Sequence, residues 1–319
     1  MAAVSKAVIP AAGFGTRQYP ATGCVRKPFF PLVDRDGRTK PILQIVIEEA
    51  LAGGAQEVCL VGLPPMEGPC RRYFSGIPEE LLSAFQGKQW ALEESDRLVE
   101  MGRRLTFVPQ PEPLGLGHAV WCARRWVGDE PFMVLLGDHV FVSTSQQSCA
   151  AQLAGAFDGH AVTALVPIGE EDLARFGVVR GRVCPDRPGM LLAEGFLEKP
   201  DPETARARCR LEGLSDGQYL AHFGMHVFTP GLLDVLDEMV RGDRPGGGEF
   251  ELTRAQDVLC RREPYMGLVM QGAHYDIGTP AGILEAQMAL AVSGRLRREA
   301  LQMWRRAWSR LAPDGPEPA

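Results

Sequence analysis

The sequence predicts an α/β protein: a mostly parallel, mixed sheet with helices on both faces and a helical extension at the C-terminus. Three observations predict it. Short apolar runs alternate with segments of helical period through the first half of the chain, the pattern of βαβ units. The first of these runs ends in a glycine-rich loop, the place where open α/β sheets bind ligands. In the second half, short runs separated by Gly and Pro turns replace the alternation, which adds antiparallel or mixed strands.

Each element has its own signal. Lys6–Ala12 is apolar and closes on Gly13, as a buried strand does. Pro41–Leu51 repeats apolar residues at helical spacing and stops at Gly53-Gly54. Glu57–Gly62, Leu105–Val108, Pro131–Leu136 and Val162–Pro167 read as further strands, and residues 78–103 and Gly117–Trp126 as helical. Gly177–Arg180, Leu191–Lys199 and Gln218–Phe228 are strand-like. Leu284–Leu311 is a long, Arg-rich amphipathic helical stretch broken near Gly294, and the tail Pro313–Ala319 is expected to fray.

Composition narrows the function classes. Of 319 residues, 45% are apolar and 23% charged, enough for a sizeable core. The net charge of −6 gives no overall field attracting nucleic acid or anionic membrane, so phosphate binding needs local positive groups. No leader peptide and no membrane span is read. The eight cysteines are dispersed without a Cys-x-x-Cys pair, which suits free thiols in the cytoplasm.

Candidate chemistry begins at Ala11-Ala12-Gly13-Phe14-Gly15-Thr16-Arg17. Two glycines let backbone N–H groups approach phosphate oxygens, and Arg17 adds a fork of donors. The loop is neither a Walker loop nor a dinucleotide fingerprint, and taken alone it is equally compatible with a tight turn. The run continues to Lys27, ten residues beyond Arg17, and to Phe30-Pro31-Leu32. As a whole it closely resembles the signature of the sugar-1-phosphate nucleotidyltransferases, most nearly their bacterial UTP–glucose-1-phosphate uridylyltransferase branch. The resemblance implies a Rossmann-like, nucleotide-diphospho-sugar transferase fold. It also implies that Ala12, Gly13, Gly15 and Thr16 cradle the nucleotide, and that Arg17 and Lys27 grip the triphosphate.

Further blocks extend the resemblance over residues 6 to about 292. Gln110 through Ala123 resembles the family's Gln…Gly-Leu-Gly-His-Ala-Val segment. The amide of Gln110 suits the edge of uracil or thymine, Gly115 adds backbone groups, and the helix start at Gly117 would point free N–H groups toward the ligand. Leu114 stands where the family usually has a basic residue. Asp138, at a strand's carboxyl end, and Asp276, in Asp-Ile-Gly-Thr-Pro, match the carboxylates that hold Mg²⁺ in the family. Phe176-Gly177-Val178-Val179 and Glu198-Lys199-Pro200 resemble the sugar blocks, so Gly177, Glu198 and Lys199 inherit the sugar and its phosphate. Adjacent strand residues face opposite ways; Glu198 and Lys199 therefore meet one ligand only if the strand end bends, with Pro200 the candidate bend.

Some features stay open at this level. Tyr219 replaces a usual asparagine, and Pro245–Thr253 resembles a family block without its aspartate. Arg35–Lys40 is an insertion of unassigned purpose. His222 and His226, four apart in an extended run, would stand about 13 Å apart and read as structural, with His118 packing at a helix start and His139 behind the metal. The resemblance implies uridylyl transfer from UTP to glucose 1-phosphate, with Mg²⁺, by a catalytic unit at 1–292 and a helix and tail at 293–319. It also implies a homo-oligomer, with UTP and a sugar 1-phosphate as partners. Another sugar phosphate or dTTP, or a non-catalytic nucleotide-sugar binder, are the alternatives.

Overall fold

A computed structural model of the chain describes residues 4–242 and 248–311. Pro245–Gly247 and the tail Pro313–Ala319, both singled out above, lie outside the described residues. In chain order the strands are β1 (Lys6–Pro10), β2 (Pro31–Val33), β3 (Thr39–Pro41), β4 (Glu57–Gly62), β5 (Leu105–Pro109), β6 (Phe132–Leu135), β7 (His139–Ser143), β8 (Ala161–Gly169), β9 (Gly177–Val183), β10 (Met190–Leu197), β11 (Gln218–Phe228), β12 (Tyr265–Val269) and β13 (Gly272–Asp276). The α-helices are α1 (Ile42–Ala52), α2 (Glu67–Tyr73), α3 (Gln89–Arg103), α4 (Leu116–Cys122), α5 (Arg124–Val127), α6 (Cys149–Ala156), α7 (Pro202–Arg208), α8 (Gly231–Arg241), α9 (Leu252–Cys260), α10 (Pro280–Ser293) and α11 (Arg297–Leu311).

Nine strands form one sheet in the order β5-β4-β1-β6-β11-β8-β12-β10-β9. β1 runs parallel to β4 and β6, β4 to β5, and β12 to β8. β11 is antiparallel to β6, β8 and β9, and β10 to β9 and β12. The sheet is therefore mostly parallel and mixed, as the pattern of the two halves predicts. Its apolar runs are continuous because both faces are covered. Ala7, Ile9, Leu60 and Met133 pack on one face with Ile42, Val46 and Ala50 of α1 and Leu153 of α6. Val8, Val61, Phe132 and Val134 pack on the other with Val120 of α4, Leu232 and Leu236 of α8 and Leu259 of α9.

β11 holds the two halves together. Its one edge pairs with β8. Its other edge is shared: Ala221 and His222 pair with Val178 and Gly177 of β9, whereas Met225 to Phe228 pair with Leu135 to Phe132 of β6. Between these stretches the sheet forks, and Gly224 sits in the fork. Its carbonyl accepts the Leu136 N–H at 2.8 Å. A Cβ there would lie 2.6 Å from the Leu136 side chain and 2.7 Å from Nδ1 of His139. The carboxyl end of β6 and the start of β9 consequently open beside each other.

The tertiary structure corrects two expectations and adds two features that spacing does not show. The chain leaves the sheet at Gly137-Asp138 and forms β7, which pairs with β13 in a separate ribbon. Residues 78–103 are not one helix. A 3₁₀ turn at Glu79–Phe85 precedes α3, and Gly87 at φ +75° separates them, a backbone conformation that suits glycine. His222 and His226 bring their rings to 5.9 Å, because the β11–β8 register shifts between them and the extended spacing does not apply. The insertion has a structural role. It turns the β2–β3 hairpin and buries Lys40 among Asp34, Asp36 and Glu48 at 2.7–2.9 Å. The Arg35 carbonyl accepts the Arg295 N–H at 2.6 Å, which seats the break between α10 and α11 on the hairpin.

His226 is buried, with Nδ1 2.7 Å from the Thr163 hydroxyl and 3.3 Å from the Gln256 amide. Burial, with His222 and His139 adding to it, drives its imidazole well below the ordinary 6.5. The folded state keeps it neutral while the unfolded chain gains a proton below about pH 6.5. Its contribution to stability is therefore full above that pH and is lost as pH falls toward the folded value. Urea unfolding of wild type and His226→Gln at about pH 7 and about pH 5 should show a shallower decline in the variant. The difference approaches about 1.4 kcal/mol per pH unit; identical slopes would contradict this account.

Candidate active site

The loop after β1 is shaped by Gly15. At φ +66° a Cβ would lie 2.9 Å from Thr22 Cγ2 and 3.4 Å from Lys27 Cβ, so only glycine fits without strain. The Gln18 N–H bonds the Gly15 carbonyl at 2.9 Å. Its buried amide donates to the Ile277 carbonyl at 2.8 Å, which ties the loop to the end of β13. Beneath the loop lies a cavity of about 600 Å³. Its walls include Ala12, Gly13, Gly15, Thr16, Arg17, Lys27, Gln110, Gly115 and Asp138. All six sequence-predicted nucleotide residues, Ala12, Gly13, Gly15, Thr16, Gln110 and Gly115, thus share one space.

Charges alternate at its floor. The nearly buried Lys27 ammonium donates to Asp138 Oδ2. Burial alone would raise the Asp138 carboxyl, but Lys27, with His139 and Arg17 behind it, holds it below the ordinary carboxylate range. Arg17, more exposed, stands 3.7 Å from Asp276, whose Oδ1 accepts the Gly278 N–H at 2.7 Å. The two carboxylates are neighbours because β13 pairs Asp276 with His139 and the Ile277 N–H reaches the Asp138 carbonyl at 3.0 Å. Sequence puts them 138 positions apart; the β7–β13 ribbon makes them adjacent.

Gln110 is 2% exposed. Its NH₂ donates to the Gly115 carbonyl at 3.2 Å and meets Nδ1 of His118 at 2.9 Å. With both amide hydrogens engaged, the carbonyl oxygen is what the side chain can offer a ligand. His118 therefore does more than pack: it orients Gln110, and it stacks between Trp121 and Phe250. Gly115 has φ +107°, and a Cβ would lie 2.8 Å from the Phe250 backbone. The Phe250 N–H bonds the Leu114 carbonyl at 2.8 Å, and the Phe250 carbonyl accepts the Gly117 N–H at 2.7 Å. This latch corrects the expectation of free N–H groups at the helix start, since the Gly117 donor is engaged. The latch also brings Glu249 to the cavity wall. Glu249 belongs to the family-like block Pro245–Thr253, and its place in the wall is not visible in spacing, because loop closure is not local.

Glu198, Lys199 and Gly177 lie outside that cavity's walls, beyond the fork. β10 stops at Leu197, and Lys199 takes φ +42°, unusual for a residue with a side chain. The chain bends at Lys199 rather than at Pro200, and this brings its ammonium to 2.9 Å from Glu198. Thr253 of α9 donates to Glu198 at 2.6 Å. Burial raises the Glu198 carboxyl, and Thr253 and Lys199 outweigh it and lower it. The missing side chain of Gly177 makes room for a histidine: Nε2 of His222 lies 2.2 Å from where a Cβ would stand. Tyr219 is buried among Ile168, Ala205 and Cys209, so that departure from the family pattern falls in the core rather than in the site.

Known proteins share this sequence pattern and fold. The chain is 32% identical over 291 residues to the UTP–glucose-1-phosphate uridylyltransferase YngB of Bacillus subtilis, covering 91% of this chain and 90% of the relative. It is 33% identical to the UTP–glucose-1-phosphate uridylyltransferase of Streptococcus pneumoniae, with 91% of each covered. Among solved structures, a UDP-glucose pyrophosphorylase complexed with UDP-glucose superposes with a TM-score of 0.71 at 25% identity, over 90% of this chain and 98% of that one. The UTP-bound enzyme of Acinetobacter baumannii gives 0.75 at 25% identity, over 94% and 98%. With residues 6–293 matching the nucleotidyl transferase model, the chain belongs to the nucleotidyl transferase family and is a nucleotidyltransferase.

Proposed function

We propose that the chain transfers the uridylyl group of UTP to glucose 1-phosphate, releasing pyrophosphate and UDP-glucose. One observation carries the reading: a glycine-rich loop over a cavity, with two cations each paired to a carboxylate, beside an amide that offers only an acceptor. The loop from Gly13 to Thr16 takes the triphosphate, with Arg17 and Lys27 on its oxygens. The Gln110 oxygen accepts the uracil N3–H. Glu198 bonds sugar hydroxyls and Lys199 holds the sugar phosphate. The names of the relatives favour UTP and glucose 1-phosphate over dTTP or another sugar.

The chemistry asks little of the side chains. A sugar-phosphate oxygen, already anionic, bonds to the α-phosphorus of UTP while the bond from that phosphorus to the bridging oxygen breaks. Pyrophosphate leaves with the electron pair, so no strong general base is needed, and positioning and charge neutralisation dominate. Asp138 and Asp276 fit a divalent cation such as Mg²⁺: both are hard oxygen donors, side by side, and each already faces a cation of the protein. No group of three or more His, Cys, Asp or Glu poised for a metal occurs among the described residues, which suits an ion that keeps several waters. When bound, such an ion supplies charge neutralisation at the α-phosphate. Lys27 and Arg17 are then free to move onto phosphate oxygens.

Residues 1–292 form the catalytic unit in this reading, and α11 lies beyond it. Leu284, Met288 and Val292 on α10 and Leu301 and Trp304 on α11 are exposed, which favours a homo-oligomer. No described helix is long and apolar enough to cross a membrane. The eight cysteines are free thiols, which favours the cytoplasm.

Pyrophosphate release with a panel of nucleotides and sugar phosphates tests the assignment. UTP with glucose 1-phosphate should give the highest kcat/KM; a clear preference for another pair would replace it. Asp138→Asn should remove most Mg²⁺-dependent turnover while its circular dichroism stays that of wild type, and near-wild-type rates at saturating Mg²⁺ would refute the metal role. Lys27→Met should lower kcat by about 10²–10³-fold, the scale of losing one fixed charge donor. Gln110→Ala should raise the UTP KM by roughly 10-fold and narrow the preference over CTP, since the lost acceptor is the group that distinguishes N3–H from N3.

A further inference from the structure

The chain has six histidines, and four of them gather at the fork of the sheet. His139 and His274 bring their rings to 5.6 Å, and His222 and His226 to 5.9 Å. His226 is accounted for by Thr163 and Gln256. The other three are not. Nδ1 of His139, Nε2 of His222 and Nδ1 of His274 are buried without a hydrogen-bond partner. A single orphaned buried polar atom carries a full desolvation cost; three in one cluster call for a reason.

Their position suggests one. His139 follows Asp138, and His274 lies two residues before Asp276. His274 stacks on Phe223 at 4.1 Å and meets the edge of Phe176 at 5.3 Å. Phe176 adjoins Gly177, against which His222 lies. His222 in turn meets Phe196 at 5.4 Å and feels the charge of Glu198. The rings thus form a run of contacts from the neighbours of Asp138 and Asp276 to His222, which feels Glu198. Aromatic faces interleaved with unpaired polar nitrogens suit a ring with apolar C–H faces and a rim of hydroxyls.

We infer that His222 and His274 are specificity-determining residues that hydrogen-bond hydroxyls of the sugar phosphate. This rests on the reading of Glu198 and Lys199 as the sugar side. A neutral imidazole carries one donor and one acceptor nitrogen, a match for hydroxyls, which do both. Burial lowers the His222 imidazole to about 4 despite Glu198, so at neutral pH it is the uncharged ring that faces this match.

The test uses steady-state kinetics of wild type, His222→Leu and His274→Leu with UTP. The sugars are glucose 1-phosphate and its 2-, 3-, 4- and 6-deoxy analogues. The expected result is a sugar KM raised on the order of 10–100-fold, with the UTP KM within about 2-fold of wild type. Each variant should also lose discrimination against one deoxy analogue. His222→Gln and His274→Gln, which keep a polar nitrogen, should recover part of the loss, and they decide the question if a leucine variant does not fold. A sugar KM and deoxy ranking unchanged from wild type in folded variants overturns the inference. Wild type inactive with glucose 1-phosphate would overturn the proposed reaction instead. In that event calorimetric binding of UDP-glucose and UDP decides the inference: an affinity ratio lowered by the substitutions supports it, and an unchanged ratio overturns it.

Discussion

One edge of β11 has to satisfy two strands, and the site follows from that constraint. A strand's N–H and C=O groups need partners along its whole length. Here β9 serves the first part of the edge and β6 the last. Where one partner ends and the other begins, the sheet must split, and only glycine fits at residue 224. The split places the carboxyl end of β6, followed by Asp138, next to the start of β9. Segments built by different supersecondary units are brought together by main-chain pairing rather than by side-chain contact.

Charge is arranged to be exchanged. Lys27 and Arg17 are held ready by Asp138 and Asp276, so neither the cations nor the carboxylates are left uncompensated in a partly buried place, where an isolated charge is expensive. The same groups suit a negatively charged ligand and a divalent ion arriving together, each taking over one side of an existing pair. The depressed Asp138 carboxyl keeps it ionised for that role.

Several remote segments serve to keep small loops in place. The Phe250 latch holds Gly115 in a conformation open to glycine, and His118 fixes the Gln110 amide by occupying its donors. Gln18 fastens the phosphate loop to β13. The hairpin of the insertion buries Lys40 among three carboxylates and seats the α10–α11 junction. Each device pins a loop whose own sequence has too few apolar residues to fold by burial, and each uses hydrogen bonds that water cannot easily replace.

Much of the fold was legible because its signals are local. Apolar runs of strand length, helical periods and Gly punctuation depend on neighbours within one element, so the mostly parallel mixed sheet with two covered faces followed from the sequence alone. The contiguous blocks at Gly13–Arg17, Lys27, Gln110 and Asp138 are likewise local signals, and the structure brings them to one cavity. What only tertiary structure decided is non-local. The β7–β13 ribbon sets Asp276 beside Asp138, the φ of Lys199 lets its ammonium fold back onto its neighbour Glu198, and His222 fills the space that Gly177 leaves. The register shift in β11 closes two histidines that an extended chain would hold apart. Spacing along a chain fixes distances only inside a regular element; across a forked sheet, strand pairing sets them.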